Sequence, residues 1–107
     1  MPISVNLVDS EGRLIRRIPD PEGTIFDGAG GFDRFLEEST RSDVWRLFDP
    51  EGIVVLNRGD AQEILDEVPK FLELARNKIE LNGLSRLLLL ANMCAGSESL
   101  YLRSFGD

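Results

Sequence analysis

A chain of 107 residues with 42% hydrophobic content supports one hydrophobic core, hence a single domain over residues 1–107, and is long enough to fold without disulfides or structural metals. Nineteen acidic residues against twelve basic ones, with no histidine, give a net charge of −7, which disfavours binding to nucleic acid or anionic membranes and attracts basic proteins. The lack of histidine removes the commonest general base and the commonest metal ligand, so neither a Ser-His-Asp nor a Cys-His arrangement can be assembled.

The pattern Asp, any residue, Glu, Gly occurs at Asp9–Gly12, Asp20–Gly23 and Asp49–Gly52. Each suits a type I turn, with Asp capping the turn and Gly accepting a left-handed backbone. The first lies between Ile3–Val8 and Leu14–Ile18, the third between Val44–Phe48 and Ile53–Leu56, so both are expected to close β-hairpins. Their spacing of forty residues raises the possibility of an internal duplication, which shared turn chemistry explains more simply. Thr24–Phe26 adds a short edge strand, and Gly28–Gly31 is a flexible entry to a helix over Phe32–Ser39, whose Phe32, Phe35 and Leu36 share one face.

Asp60, with Glu63 three residues later, reads as a helix cap ahead of Ala61, Ile64, Leu65, Val68, Phe71, Leu72 and Ala75. Pro69 bends this helix without interrupting its apolar face. A second helix begins between Ile79 and Leu84, reaches Met93 or Cys94 and ends at Gly96 in a left-handed cap; Leu87–Leu90 make it the most enclosed element. Ser99–Phe105 alternates Leu100 and Leu102 with Tyr101, Arg103 and Phe105, the pattern of a half-buried strand. The expected fold class is α+β: an antiparallel or mixed sheet of about five strands, in the order ββαββααβ, with the helices on one face.

No cofactor or metal is expected. Gly28–Gly31 lacks the Lys and Ser/Thr of a phosphate loop, and the Asp-Glu-Gly turns lack the ligand alternation of a calcium loop. Asn57–Asp60 either grips a ligand or only shapes the strand-to-helix junction. Cys94, alone and among apolar residues, is expected to be a buried thiol in a reducing compartment. Met1–Val8 has no signal-peptide pattern and Leu87–Leu90 is too short to span a bilayer, so the expected location is the cytoplasm.

The candidate binding residues are Glu63, Asp66, Glu67 and Glu73 around Lys70 on the long helix, a charged docking surface or a solvated face. Trp45 and Tyr101, on predicted strands, are core residues or interface anchors. Asp49–Gly52 leading to Leu56–Arg58, the capped helix that follows, and the ending Leu100–Asp107 resemble a group of small, acidic, functionally unassigned bacterial proteins. The chain is also similar in character to immunity proteins, which bind and silence a toxin. The first of these resemblances implies a bacterial cytosolic origin and transfers no activity. The expected role is a non-enzymatic inhibitor of a basic partner; the alternatives are a homodimeric assembly subunit and, behind it, a small-molecule sensor or an unconventional carboxylate enzyme.

Overall fold

A computed structural model describes residues 3–15, 18–20, 23–38 and 43–106. It is an α+β fold. In chain order it contains β1 (Ser4–Asp9), β2 (Ile18–Pro19), β3 (Ile25–Phe26), β4 (Ala29–Gly30), α1 (Asp33–Glu38), a 3-10 segment Asp43–Leu47, β5 (Ile53–Leu56), α2 (Arg58–Glu67), a second 3-10 segment Val68–Leu74, α3 (Lys78–Ala95) and β6 (Leu100–Phe105). The main sheet has four strands in the order β4-β1-β6-β5, and β2 and β3 form a separate two-stranded ribbon. Every described pairing is antiparallel.

The three turns behave differently. At Asp9 the carboxylate accepts the N–H groups of Glu11 and Arg13, both at 2.9 Å, and Gly12 takes φ 81°. The chain then returns against β1 through Asp9 N–H to Arg13 O and Ile15 N–H to Leu7 O. This hairpin is shorter than expected, because Ile18 and Pro19 leave β1 to pair with Phe26 and Ile25. Asp20 N–H bonds Thr24 O and Gly23 N–H bonds Asp20 O, closing the β2–β3 ribbon; Pro21 and Glu22 lie outside the described residues, as do Ser39 and Asp107.

The expected hairpin across Asp49–Gly52 does not form. Val44, Trp45 and Phe48 are all buried, a spacing that one helical turn satisfies and a strand does not, since a strand would send Val44 and Trp45 to opposite faces. The segment is accordingly 3-10 helical, and the last strand in the chain, β6, takes its place beside β5. Without a strand at 44–48 the segments around Asp9 and Asp49 are not copies of each other, and the duplication is not supported.

Helix caps sit slightly away from their expected positions. Asn57 caps α2 and Asp60 occupies the third helical position, each side chain accepting the other's backbone N–H at 3.0 Å. The reciprocal pair satisfies two N–H groups that would otherwise be orphaned. At Pro69 the α-helix gives way to 3-10 geometry instead of bending and continuing, because proline offers no N–H and its ring crowds the preceding turn. Asn77 caps α3 through Glu80 N–H at 2.9 Å, and Gly96 ends it at φ −84°, outside the left-handed region.

The core lies between the sheet and the helices. Val5, Leu7, Leu56 and Leu102 face Ala61 and Ile64 of α2 and Leu84, Leu87, Leu90, Ala91 and Cys94 of α3, all almost fully buried. Phe32, Phe35, Trp45, Phe48 and Phe71 continue it as an aromatic cluster, with Phe35 stacked on Trp45 at 5.6 Å and Phe71 edge-on to Trp45 at 5.2 Å. Between α1 and α3, Arg34 donates two bonds of 2.8 Å to the Glu80 carboxylate, which also accepts Arg76 N–H. A nearly buried carboxylate is tolerable here because it is paired and hydrogen-bonded.

Two outcomes follow from this packing. A Cβ at Gly83 would lie 2.0 Å from Gly30 O, where α3 crosses β4. Gly83→Ala should therefore destabilise the protein by about 1–3 kcal/mol in chemical denaturation, against the roughly 0.8–1.0 kcal/mol that helix propensity alone would add. The Arg34 guanidinium, then Arg76 N–H, hold the Glu80 carboxyl down to about 2, from an ordinary value of 4.5. The unfolded chain binds this proton more tightly, so the pair's contribution is complete above pH 4.5 and is lost as pH falls toward 2. Denaturation midpoints should drop across that window, and less steeply for Glu80→Gln.

Candidate functional site

Alternation along the strands decides what the sheet shows to solvent. Cross-strand partners share a face, so Val5, Ser104 and Val54 form one inward row, and Leu7, Leu102 and Leu56 another. The opposite face carries the rows Ser4–Phe105–Ile53, Asn6–Arg103–Val55 and Val8–Tyr101. No described helix covers it along β5, where Ile53 is 66% and Val55 59% exposed. Tyr101, Arg103 and Phe105 are half-buried beside them.

At the centre, the Arg103 guanidinium lies 4.8 Å over the Phe105 ring and donates to Gly12 O at 3.4 Å. Val8, Asp9, Ser10, Gly12, Val55, Tyr101 and Arg103 line an open hollow of about 230 Å³. The Arg13 N–H, then the Glu11 N–H and the Arg13 guanidinium, hold the Asp9 carboxyl below its usual range against the opposing effect of desolvation, so Asp9 is anionic at neutral pH. The Arg103 guanidinium thus lies beside Val55 and Phe105, while the Asp9 carboxylate at the rim is paired with Arg13 at 3.2 Å.

β5 is also an edge strand. Gly106 N–H donates to Gly52 O at 2.7 Å, so Gly52 and Gly106 form a hydrogen-bonded pair. The antiparallel register then makes Val54–Ser104 and Leu56–Leu102 the next such pairs. The N–H and C=O groups of Ile53 and Val55 consequently point away from β6. Among the described residues no strand pairs with that side of β5. The other sheet edge, β4, is closed off by α3 at Gly83.

The residues expected to bind a partner are not brought together. Trp45 belongs to the core at 3% exposure, on a 3-10 turn instead of a strand, and its indole N–H has no partner among the described residues. Tyr101 does stand on the open face. Glu63, Asp66 and Glu67 lie on α2, but Glu73 belongs to the following 3-10 segment. Glu67 pairs with Lys70 at 2.9 Å and Asp66 accepts from Gln62 at 3.0 Å. Asn57 and Asp60 hold each other in the helix cap. Cys94 is buried, its thiol pushed up by desolvation and donating to Leu100 O at 3.4 Å. Among the described residues no group of three Cys, Asp or Glu side chains is placed to hold a metal ion.

Ile53, Val55, Arg103 and Phe105 were not among the expected site residues. A hint lies in the unbroken apolar run Ile53–Leu56, whose outward members have no polar substitute. Comparison with protein-family models, curated proteins and solved structures finds no match to this chain, so the site rests on its own geometry. If the open face is free of structural duty, Ile53→Thr should change stability by no more than about 0.5 kcal/mol. Trp45→Ala should cost about 3–5 kcal/mol; denaturant titration of both variants makes the comparison.

Proposed function

We propose that this chain is a non-enzymatic protein-binding module, an immunity- or antitoxin-type inhibitor that occludes a basic partner in the cytoplasm. The observation that carries this reading is the open sheet face, where Ile53 and Val55 stand exposed beside Tyr101 and Phe105. Exposed aliphatic side chains next to aromatic ones, inside a polar rim, match the composition of interface centres. The chain's charge of −7 supports a basic partner, since complementary charge raises the association rate and rejects acidic competitors. No helix among the described residues is long and apolar enough to cross a membrane.

A homodimeric assembly subunit is the second reading, favoured by the outer side of β5, with which no described strand pairs. Self-association would bring two chains of charge −7 together, which costs energy at low salt, so we rank it below a basic partner.

The test is capture on the immobilised chain followed by identification and assay of the captured protein. The expected result is a basic protein whose activity is abolished by one equivalent of the chain, with affinity at least about tenfold weaker in 0.5 M than in 0.05 M salt. Captured proteins that are acidic, or a basic one that stays fully active when saturated, would overturn the reading.

A further inference from the structure

We propose that β5 receives an extended, basic segment of the partner as an additional antiparallel or parallel strand, with apolar side chains laid across the open face and a basic one at the end beside Asp49 and Glu51. This inference rests on the inhibitor reading and adds how the partner is held. Two features of the strand itself support it. Ile53 and Val55 direct their N–H and C=O groups away from β6, which supplies the ladder that an incoming strand needs. Their side chains are 66% and 59% exposed on the open face, so alternate apolar residues of the added strand extend the rows Phe105–Ile53 and Arg103–Val55.

Natural edge strands are commonly protected by an inward charge, a lysine, a proline or a bulge. The run Ile53–Leu56 has no charged residue and no proline, and its register with β6 runs unbroken.

The charges around this edge select the occupant. Asp49 and Glu51 stand exposed at the entry to β5, and no described residue forms an ion pair with either. The nearest cations in sequence are already engaged, Arg46 with Asp43 at 3.5 Å and Arg58 with Glu98 at 3.4 Å. Arg103 lies one strand further in, held by Gly12 O and the Phe105 ring. A basic residue of an added strand thus fits at the end beside Asp49 and Glu51, and apolar ones fit over the middle. A second copy of this chain satisfies the ladder but brings another net charge of −7.

The probe is a synthetic peptide, acetyl-Lys-Val-Thr-Val-Thr-Val-Lys-amide, titrated into the isotope-labelled full chain. The expected result is that the Ile53 and Val55 amides shift and exchange at least about tenfold more slowly, and that the glutamate-ended version binds at least about tenfold more weakly. Val55→Pro removes a donor that β6 does not use, so it should keep the fold and lose binding at least about tenfold. Ile53→Lys, which leaves the backbone unchanged, should lose it similarly and guards against a Val55→Pro chain that fails to fold.

Three results would overturn strand addition: shifts confined to Glu63, Asp66 and Glu67, undiminished binding to both folded variants, or a free chain already dimeric with the Ile53 and Val55 amides protected. If a captured basic partner is inhibited equally by wild type and both variants, strand addition fails while the inhibitor reading stands. Peptide addition at β5 with no inhibited partner leaves the strand site standing and removes the inhibitor.

Discussion

The packing of α3 across β1 and β6 governs the rest of the molecule. Leu84, Leu87, Leu90, Ala91 and Cys94 press on Leu7 and Leu102 with essentially no exposure, and each buried leucine is worth about 1.5–3 kcal/mol of transfer free energy. Because strand side chains alternate, covering one face of β6 with a helix commits Tyr101, Arg103 and Phe105 to the other. Gly83 sets how close the helix can come. Its missing Cβ lets α3 meet the Gly30 carbonyl directly, which also closes the β4 edge and leaves β5 as the exposed one.

The two faces follow different physical rules. On the helix side, the aromatic cluster around Trp45 and the Arg34–Glu80 pair both join segments far apart in the chain. The cluster does so by area and shape, the ion pair by fixed hydrogen-bond directions, and a buried pair of this kind specifies geometry more than it adds stability. The open side has turn carboxylates at its margins and aliphatic side chains over β5. Edge, exposure and charge coincide there, whereas the acids of α2 are divided among local partners and neighbouring elements. That difference moves the candidate docking surface from the acidic helix face to the sheet, with Tyr101 the one expected site residue that lies on it.

Local chemistry made much of the architecture legible. The 3.6-residue spacing in α2 and α3, the alternation in Leu100–Phe105 and the Asp-led turn at Asp9 all appear where a short window of residues suffices to define them. Trp45 misled because a short stretch with four apolar residues around Arg46 reads equally as a strand or as a turn of helix. The same stretch supplied a false partner for β5, so Ile53 and Val55 passed for residues inside a hairpin. Glu80 went unremarked because its partner Arg34 lies 46 positions away, and no local pattern announces such a pairing.

From its residues alone this chain was bound to combine helices and strands in an α+β fold, to carry a net charge of −7 and to lack histidine chemistry, since composition, periodicity and turn preference act over short distances and need no partner. Tertiary structure alone decided that β6 would lie between β1 and β5, that Trp45 would be enclosed, and that the backbone of Ile53 and Val55 would face outward. Those outcomes depend on which distant segments bury their apolar surface against each other, and that competition is settled only when the whole chain has packed.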